Sequence, residues 1–126
     1  MQSLTLIGED FRSENKLEIC VFTKNEEERI LNILIKYSEK FNVVLLDDAS
    51  LDRTIKYARQ YKATVFQRRN NCFFILEYYL QDYVNEMSAS GKVFWMLADE
   101  YMEPESLECI EKILQNNNCQ KRKSHY

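Results

Sequence analysis

The sequence predicts an α/β domain built on a mostly parallel sheet with helices on both faces. Two observations carry this. From Leu17 onward, short runs of β-formers alternate with stretches of helical apolar spacing, in the order β-α-β-α-β-α-β-α with short links. Each predicted strand also ends in polar or charged residues: Thr23-Lys24-Asn25-Glu26, Asp47-Asp48, Arg68-Arg69 and Asp99-Glu100. In a parallel sheet those ends share one edge, where open α/β sheets bind ligands.

Residues 1–16 form a mixed polar lead-in to which the sequence assigns no element. The first strand is Leu17 to Thr23, dense in β-formers. Asn25 is placed to cap the next helix, and Glu26, Glu27 and Glu28 suit its positive N-terminus. Ile30, Leu34, Tyr37 and Phe41 repeat at helical spacing and predict a helix lying on the sheet. The second strand is Val43 to Leu46, an apolar run of the kind found in buried parallel strands. A helix follows from about Leu51 to Tyr61, capped by Ser50 or Asp52, with Ile55 and Ala58 inward. The third strand is Ala63 to Gln67, and a helix rich in aromatic residues follows from about Cys72 to Met87. Aromatics at helical spacing read first as a packing face and second as a sugar-stacking surface. Ser88 to Gly91 is a turn, Lys92 to Leu97 the fourth strand, and Pro104 opens a fourth helix with Leu107, Ile110 and Leu114 inward. From Gln115 the chain turns polar and basic and reads as a frayed tail. The organisation is thus a lead-in (1–16), one domain (17–114) and a tail (115–126).

Composition narrows the function classes. The chain has 126 residues, 45% of them hydrophobic and 29% charged, which is globular rather than disordered. A formal net charge of -3 argues against nucleic acid as a partner. No stretch approaches the ~20 apolar residues of a membrane helix, and MQSLTLIGED does not read as a signal peptide. These readings point to a cytoplasmic protein without a transmembrane segment, compatible with peripheral attachment at a membrane surface. Cys20, Cys72, Cys109 and Cys119 form no CxxC pair, and the single histidine is His125, so no zinc site is expected. Cys20 reads as a small core residue. With only Gly8 and Gly91, the chain has neither a GxGxxG turn nor a P-loop, so any phosphate is held without a glycine cradle.

The residue types at the strand ends suit one chemistry. A carboxylate accepts hydrogen bonds from ribose hydroxyls or a base N–H. A second carboxylate, backed by a divalent cation, holds a diphosphate that bare acids would repel. Arginine pairs with phosphate directly. Glu26 to Glu28 also read as a solvated first turn, Asp52 as a helix cap, and Arg69 as a surface charge. Asp47 and Asp48, two adjacent acids after an apolar strand, have no evident structural job, and Asp99 is intermediate.

Four motifs in order then carry a resemblance. They are Thr23-Lys24-Asn25-Glu26-Glu27-Glu28-Arg29-Ile30; Leu46-Asp47-Asp48-Ala49-Ser50-Leu51-Asp52-Arg53-Thr54; the segment from Ala58 to Phe66; and Leu97-Ala98-Asp99-Glu100 followed by Pro104-Glu105. The run from Leu17 to Leu107 resembles the nucleotide-sugar-binding half of family 2 glycosyltransferases of the GT-A fold. It is especially similar to bacterial members that build lipopolysaccharide core or capsule. The resemblance implies a Rossmann-like GT-A nucleotide-sugar-binding fold and inverting transfer of a sugar from a nucleoside-diphosphate sugar to an acceptor hydroxyl of a glycan or lipid-linked acceptor. It implies that Thr23 and Glu26 line the nucleotide pocket, that Asp47 or Asp48 contacts base or ribose, and that Arg68 approaches base or diphosphate. Asp99 matches the last acid of the family's D-x-D motif, which holds Mg²⁺ or Mn²⁺. Leu97 replaces the first acid of that motif. The family's acceptor-binding half, with its catalytic base, follows this region, whereas the chain ends at Tyr126, and no residue here stands out as that base. Two alternatives stand beside this reading: a non-catalytic nucleotide-binding module or degenerate relative, and a flavodoxin-like receiver domain with an acidic pocket.

Overall fold

The computed structural model describes residues 4–68 and 76–116. Its five strands are β1 (Leu4–Ile7), β2 (Glu18–Thr23), β3 (Asn42–Asp47), β4 (Thr64–Arg68) and β5 (Val93–Leu97), in the order β1-β4-β3-β2-β5. Strands β2 to β5 are parallel neighbours, and β1 alone runs antiparallel, with Leu4 opposite Arg68 and Ile7 opposite Val65. The helices are α1 (Glu27–Tyr37), α2 (Thr54–Gln60), α3 (Leu76–Asp82) and α4 (Pro104–Asn116), and a π-helical turn, Tyr83–Met87, continues α3. The α/β class and the mostly parallel sheet with helices on both faces are as the alternation predicts.

Strand order explains the helix placement. β2, β3 and β4 are laid down side by side, and the chain then returns past β2 to add β5. Residues Ile19, Val21, Val43, Leu45, Val65 and Met96 pack one face of the sheet against α1, α2 and α4, through Ile30, Ile33, Leu34, Tyr37, Ala58 and Leu107. Cys20, Phe22, Val44, Leu46 and Phe66 pack the other face against Tyr79 and Tyr83. The reversal of direction between β2 and β5 makes their carboxyl ends the switch point of the fold.

Tyr79 and Tyr83 contact Phe22 and Phe66 edge-on, at 6.1 and 5.5 Å between ring centroids. The aromatic helix is a packing face where it is described. Its expected start at Cys72, together with Arg69, Phe73 and Phe74, lies outside the described residues, as does the tail from residue 117. Cys20 is fully buried, and burial pushes its thiol pKa up. Among the described residues, no helix is long and apolar enough to cross a membrane.

The lead-in departs from expectation. Leu4–Ile7 is an edge strand, missed because four residues give too little alternation to read. Beyond it, Arg12 reaches under the amino ends of the strands. Its guanidinium donates to Asp10 Oδ1 and Oδ2 at 2.9 Å each, to the Tyr83 hydroxyl at 2.9 Å, and to the Met87 carbonyl. It lies 5.0 Å from the Phe66 ring centroid. Beside it, fully buried, is Glu18 on β2. Glu18 accepts hydrogen bonds from the Tyr83 hydroxyl, the Ser88 hydroxyl (2.8 Å), and the Ser90 hydroxyl and N–H (2.6 Å each). A carboxylate excluded from water is stable only when so surrounded. Burial also raises the Tyr83 pKa, which keeps its hydroxyl a donor.

Glu18→Ala removes the acceptor of the buried Tyr83 hydroxyl and of the Ser88 and Ser90 donors, while Arg12 keeps Asp10, so a loss of at least about 2 kcal/mol is expected in urea unfolding. The exposed Glu39→Ala is expected to change stability by less than ~0.5 kcal/mol.

Candidate functional site

The carboxyl ends of β4, β3, β2 and β5 stand in a row, bringing Arg68, Asp47-Asp48, Thr23 to Glu26 and Asp99 to one edge. Within that edge the predicted residues separate into two groups. One group is buried and holds the loops. The other faces outward.

Asp47 belongs to the first group. It is 0% exposed, and its carboxylate accepts from the Thr23 hydroxyl (2.5 Å), the Ser50 hydroxyl (2.6 Å), the Ser50 N–H (2.8 Å) and the Gln67 amide (3.1 Å). The expectation that the acid pair lacks a structural job is therefore corrected for Asp47. Its carboxylate ties the ends of β2, β3 and β4 to the loop after β3. Thr23 is likewise buried, with its hydroxyl directed at Asp47. The Tyr79 hydroxyl donates to the Asp47 and Phe66 carbonyls, at 2.8 and 3.0 Å, which anchors α3 beneath the same point.

The loops after β2 and β3 are cross-locked by the motif residues themselves. Asn25 is not the cap of α1. It adopts a left-handed backbone (φ 54), and its Oδ1 accepts the Leu51 N–H at 2.6 Å. Its own N–H donates to Ser50 Oγ at 2.8 Å. Asp52 serves both helices: Oδ2 accepts the Glu27 N–H at the start of α1 (3.1 Å), and Oδ1 accepts the Thr54 N–H at the start of α2 (3.0 Å). The Thr54 hydroxyl in turn accepts the Glu26 N–H at 2.9 Å, and Glu27 Oε1 accepts the Arg53 N–H at 3.0 Å. Asp52 thus caps α2 from its own loop and α1 from across, and Glu27 returns a bond to the loop before α2. Partial burial opposes the Asp52 charge, but the hydrogen bonds from Thr54 and Glu27 outweigh it and hold its pKa below the ordinary value.

The outward group is smaller. Asp48 is half-buried; its N–H donates to the Thr23 carbonyl, and its own carbonyl accepts Lys24 Nζ, both at 2.9 Å. Glu26 is half-buried and paired with Arg29 at 2.9 Å. Asp99 is exposed in the turn after β5. Glu100 Oε1 accepts the Leu97 N–H at 2.8 Å and so closes that turn. The Leu97 side chain packs against the apolar cluster under α3. Arg68 ends β4, and its side chain lies outside the described residues. A cavity of about 190 Å³ lies at the far, amino end of the strands, beside Phe11, Lys16, Asn42 and Thr64. It is remote from these groups.

The donor set for a divalent cation is sparse. Among the described residues no three His, Cys, Asp or Glu side chains converge. Asp99 alone offers a carboxylate where the D-x-D resemblance expects two. Mg²⁺ is commonly held by one or two carboxylates with phosphate oxygens and water completing its shell. Asp99 fits that role only with a diphosphate present.

Two substitutions separate the groups. Asp47→Ala leaves one buried and three partly buried donors without their acceptor and is expected to lower stability by about 2 kcal/mol or more in urea unfolding. Asp48→Asn is expected to cost less than about 1 kcal/mol. Asp52 adds a pH signature. A lowered folded pKa contributes stability that is present above the unfolded value and is lost as pH falls through the folded one. Asp52→Asn is therefore expected to flatten the decline in stability below about pH 4, followed by circular dichroism.

No protein-family model matches the chain, and no curated protein matches it. Among solved structures it is similar to the crystal structure of S. aureus TarS 1-349, with a TM-score of 0.62 and 24% sequence identity, over 82% of this chain and 33% of that one. The chain thus spans a third of the length of the structure it matches. The likeness concerns the fold, and with the strand order and the two helical layers it identifies a Rossmann-like α/β domain of the GT-A kind.

Proposed function

We propose that this chain is a nucleotide-binding module of GT-A-like fold, a relative of glycosyltransferases that engages a nucleoside diphosphate, or the nucleotide end of a nucleoside-diphosphate sugar, without transferring the sugar by itself. The observation that carries the reading is the cross-locked pair of loops after β2 and β3, the first of which borders the switch point between β2 and β5. The carboxyl edge of the strands at such a point is where open α/β sheets take nucleotides.

In this reading Asp48 and Glu26 accept from base or ribose, while Thr23 and Asp47 shape the floor without touching the ligand. Lys24 and Arg68 supply positive charge toward the phosphates. Asp99 contributes the one protein carboxylate to Mg²⁺ or Mn²⁺, which when bound neutralises the diphosphate. Leu97 in place of an acid, and the engagement of Asp47 and Asp52 in holding loops, favour binding over catalysis. The second reading is full glycosyl transfer to an acceptor hydroxyl, favoured by the order of the four motifs. It requires a general base that the described residues do not offer.

Calorimetric titration of UDP, GDP and CDP, with Mn²⁺ and with EDTA, tests the proposal. Binding of at least one diphosphate is expected, strengthened by Mn²⁺, with Asp99→Asn losing the metal-dependent part and Asp48→Asn weakening binding under both conditions. No binding of any of the three overturns it. Release of free nucleotide from a UDP-sugar in the presence of an acceptor glycan, catalysed by this chain alone, replaces it with the second reading.

A further inference from the structure

Among the described residues, strand β5 forms the outer edge of the sheet beside β2, and the direction of its amides can be read residue by residue. The Glu18 N–H donates to the Lys92 carbonyl at 2.8 Å, so Lys92 faces β2, and with it Phe94 and Met96 at the two-residue period of a strand. Leu97 faces away: its N–H donates to Glu100 Oε1 and its carbonyl accepts the Glu100 N–H. Val93 and Trp95 share that outward direction. Among the described residues, their outward N–H and C=O groups meet no partner.

We propose that β5 pairs antiparallel with β5 of a second copy of this chain, about a two-fold axis at Phe94. The placement of the open groups selects this register. With Phe94 on the axis, Val93 of each copy stands opposite Trp95 of the other, and every outward amide of those two residues is satisfied. Leu97, already closed by Glu100, ends the ladder. The same patch on both chains is self-complementary, as a two-fold interface requires.

Side chains and charges agree with this occupant. The strand Val93-Phe94-Trp95-Met96-Leu97 contains no charge, proline or glycine, so it lacks the guards that keep edge strands apart. Trp95 is 48% exposed, held edge-on to Phe22 with 5.6 Å between centroids, and in the paired register its free surface lies beside Val93 of the other copy. Cross-strand aromatic and β-branched pairs of this kind stabilise sheets. Asp99 and Glu100 lie beyond the carboxyl end of β5, so an antiparallel joint sets the acids of the two copies at its opposite ends.

The test uses the intact chain. Trp95 is its only tryptophan, so its emission reports on this edge without a label. Sedimentation velocity from micromolar to about millimolar protein is expected to show a monomer–dimer equilibrium, with a blue shift of Trp95 emission following the dimer fraction. Two variants address the edge separately. Val93→Pro removes an outward donor and leaves the bonds to β2 intact, and Trp95→Lys brings two cations to the joint. Each is expected to raise the dimer dissociation constant roughly tenfold or more, with an unchanged far-ultraviolet spectrum. If Val93→Pro fails to fold, Trp95→Lys, made at a half-exposed site, decides alone. A monomer across the whole range, a dimer that forms without the emission shift, or a dimer unaffected by the folded variants overturns the proposal.

Discussion

A buried carboxylate is the constraint on which the candidate site depends. Removing Asp47 from water is unfavourable unless its oxygens are met by donors. The donors come from β2, from the loop after β3 and from β4, so satisfying one side chain fixes the relative positions of three strand ends. Asn25 and Asp52 extend the same logic outward, since each accepts amide groups from a loop that is distant in sequence. The edge is consequently ordered by folding itself.

The two ends of the sheet are built alike and serve different ends. Glu18 gathers hydroxyl and amide donors beneath the amino end of β2, as Asp47 does at the carboxyl end of β3. Between them the strands are apolar on both faces. The lower cluster holds the lead-in and the turn before β5 against the body of the domain. The upper one fixes the edge at which Asp48, Glu26 and Asp99 stand.

Much of this was legible in the sequence. Alternating strand and helix patterns identified the parallel sheet, and polar strand ends located the edge where the motif residues collect. The structural role of Asp47 was not legible, because its partners Thr23 and Gln67 lie twenty or more residues away in the chain. Non-local partners were not legible. Nothing in Asn25 announces that it bonds across to the other loop rather than capping its own helix, and nothing in Asp52, which does cap its own helix, announces that it also reaches α1. Glu18 was not singled out within its strand, because its donors Tyr83, Ser88 and Ser90 lie some seventy residues away. Burial of both sheet faces also removed the period-two signal that would otherwise have separated Asp47 from Asp48.

The cross-locked loops change what the motif means as a signature. Thr23, Asn25, Asp47, Ser50, Asp52 and Thr54 bond chiefly to one another, so the architecture of the loops accounts for these letters before any ligand is considered. The Leu97 side chain closes no loop and packs in the apolar cluster under α3. A comparison that weighs all the motif letters alike therefore scores the loop scaffold more heavily than the positions where chemistry would be done.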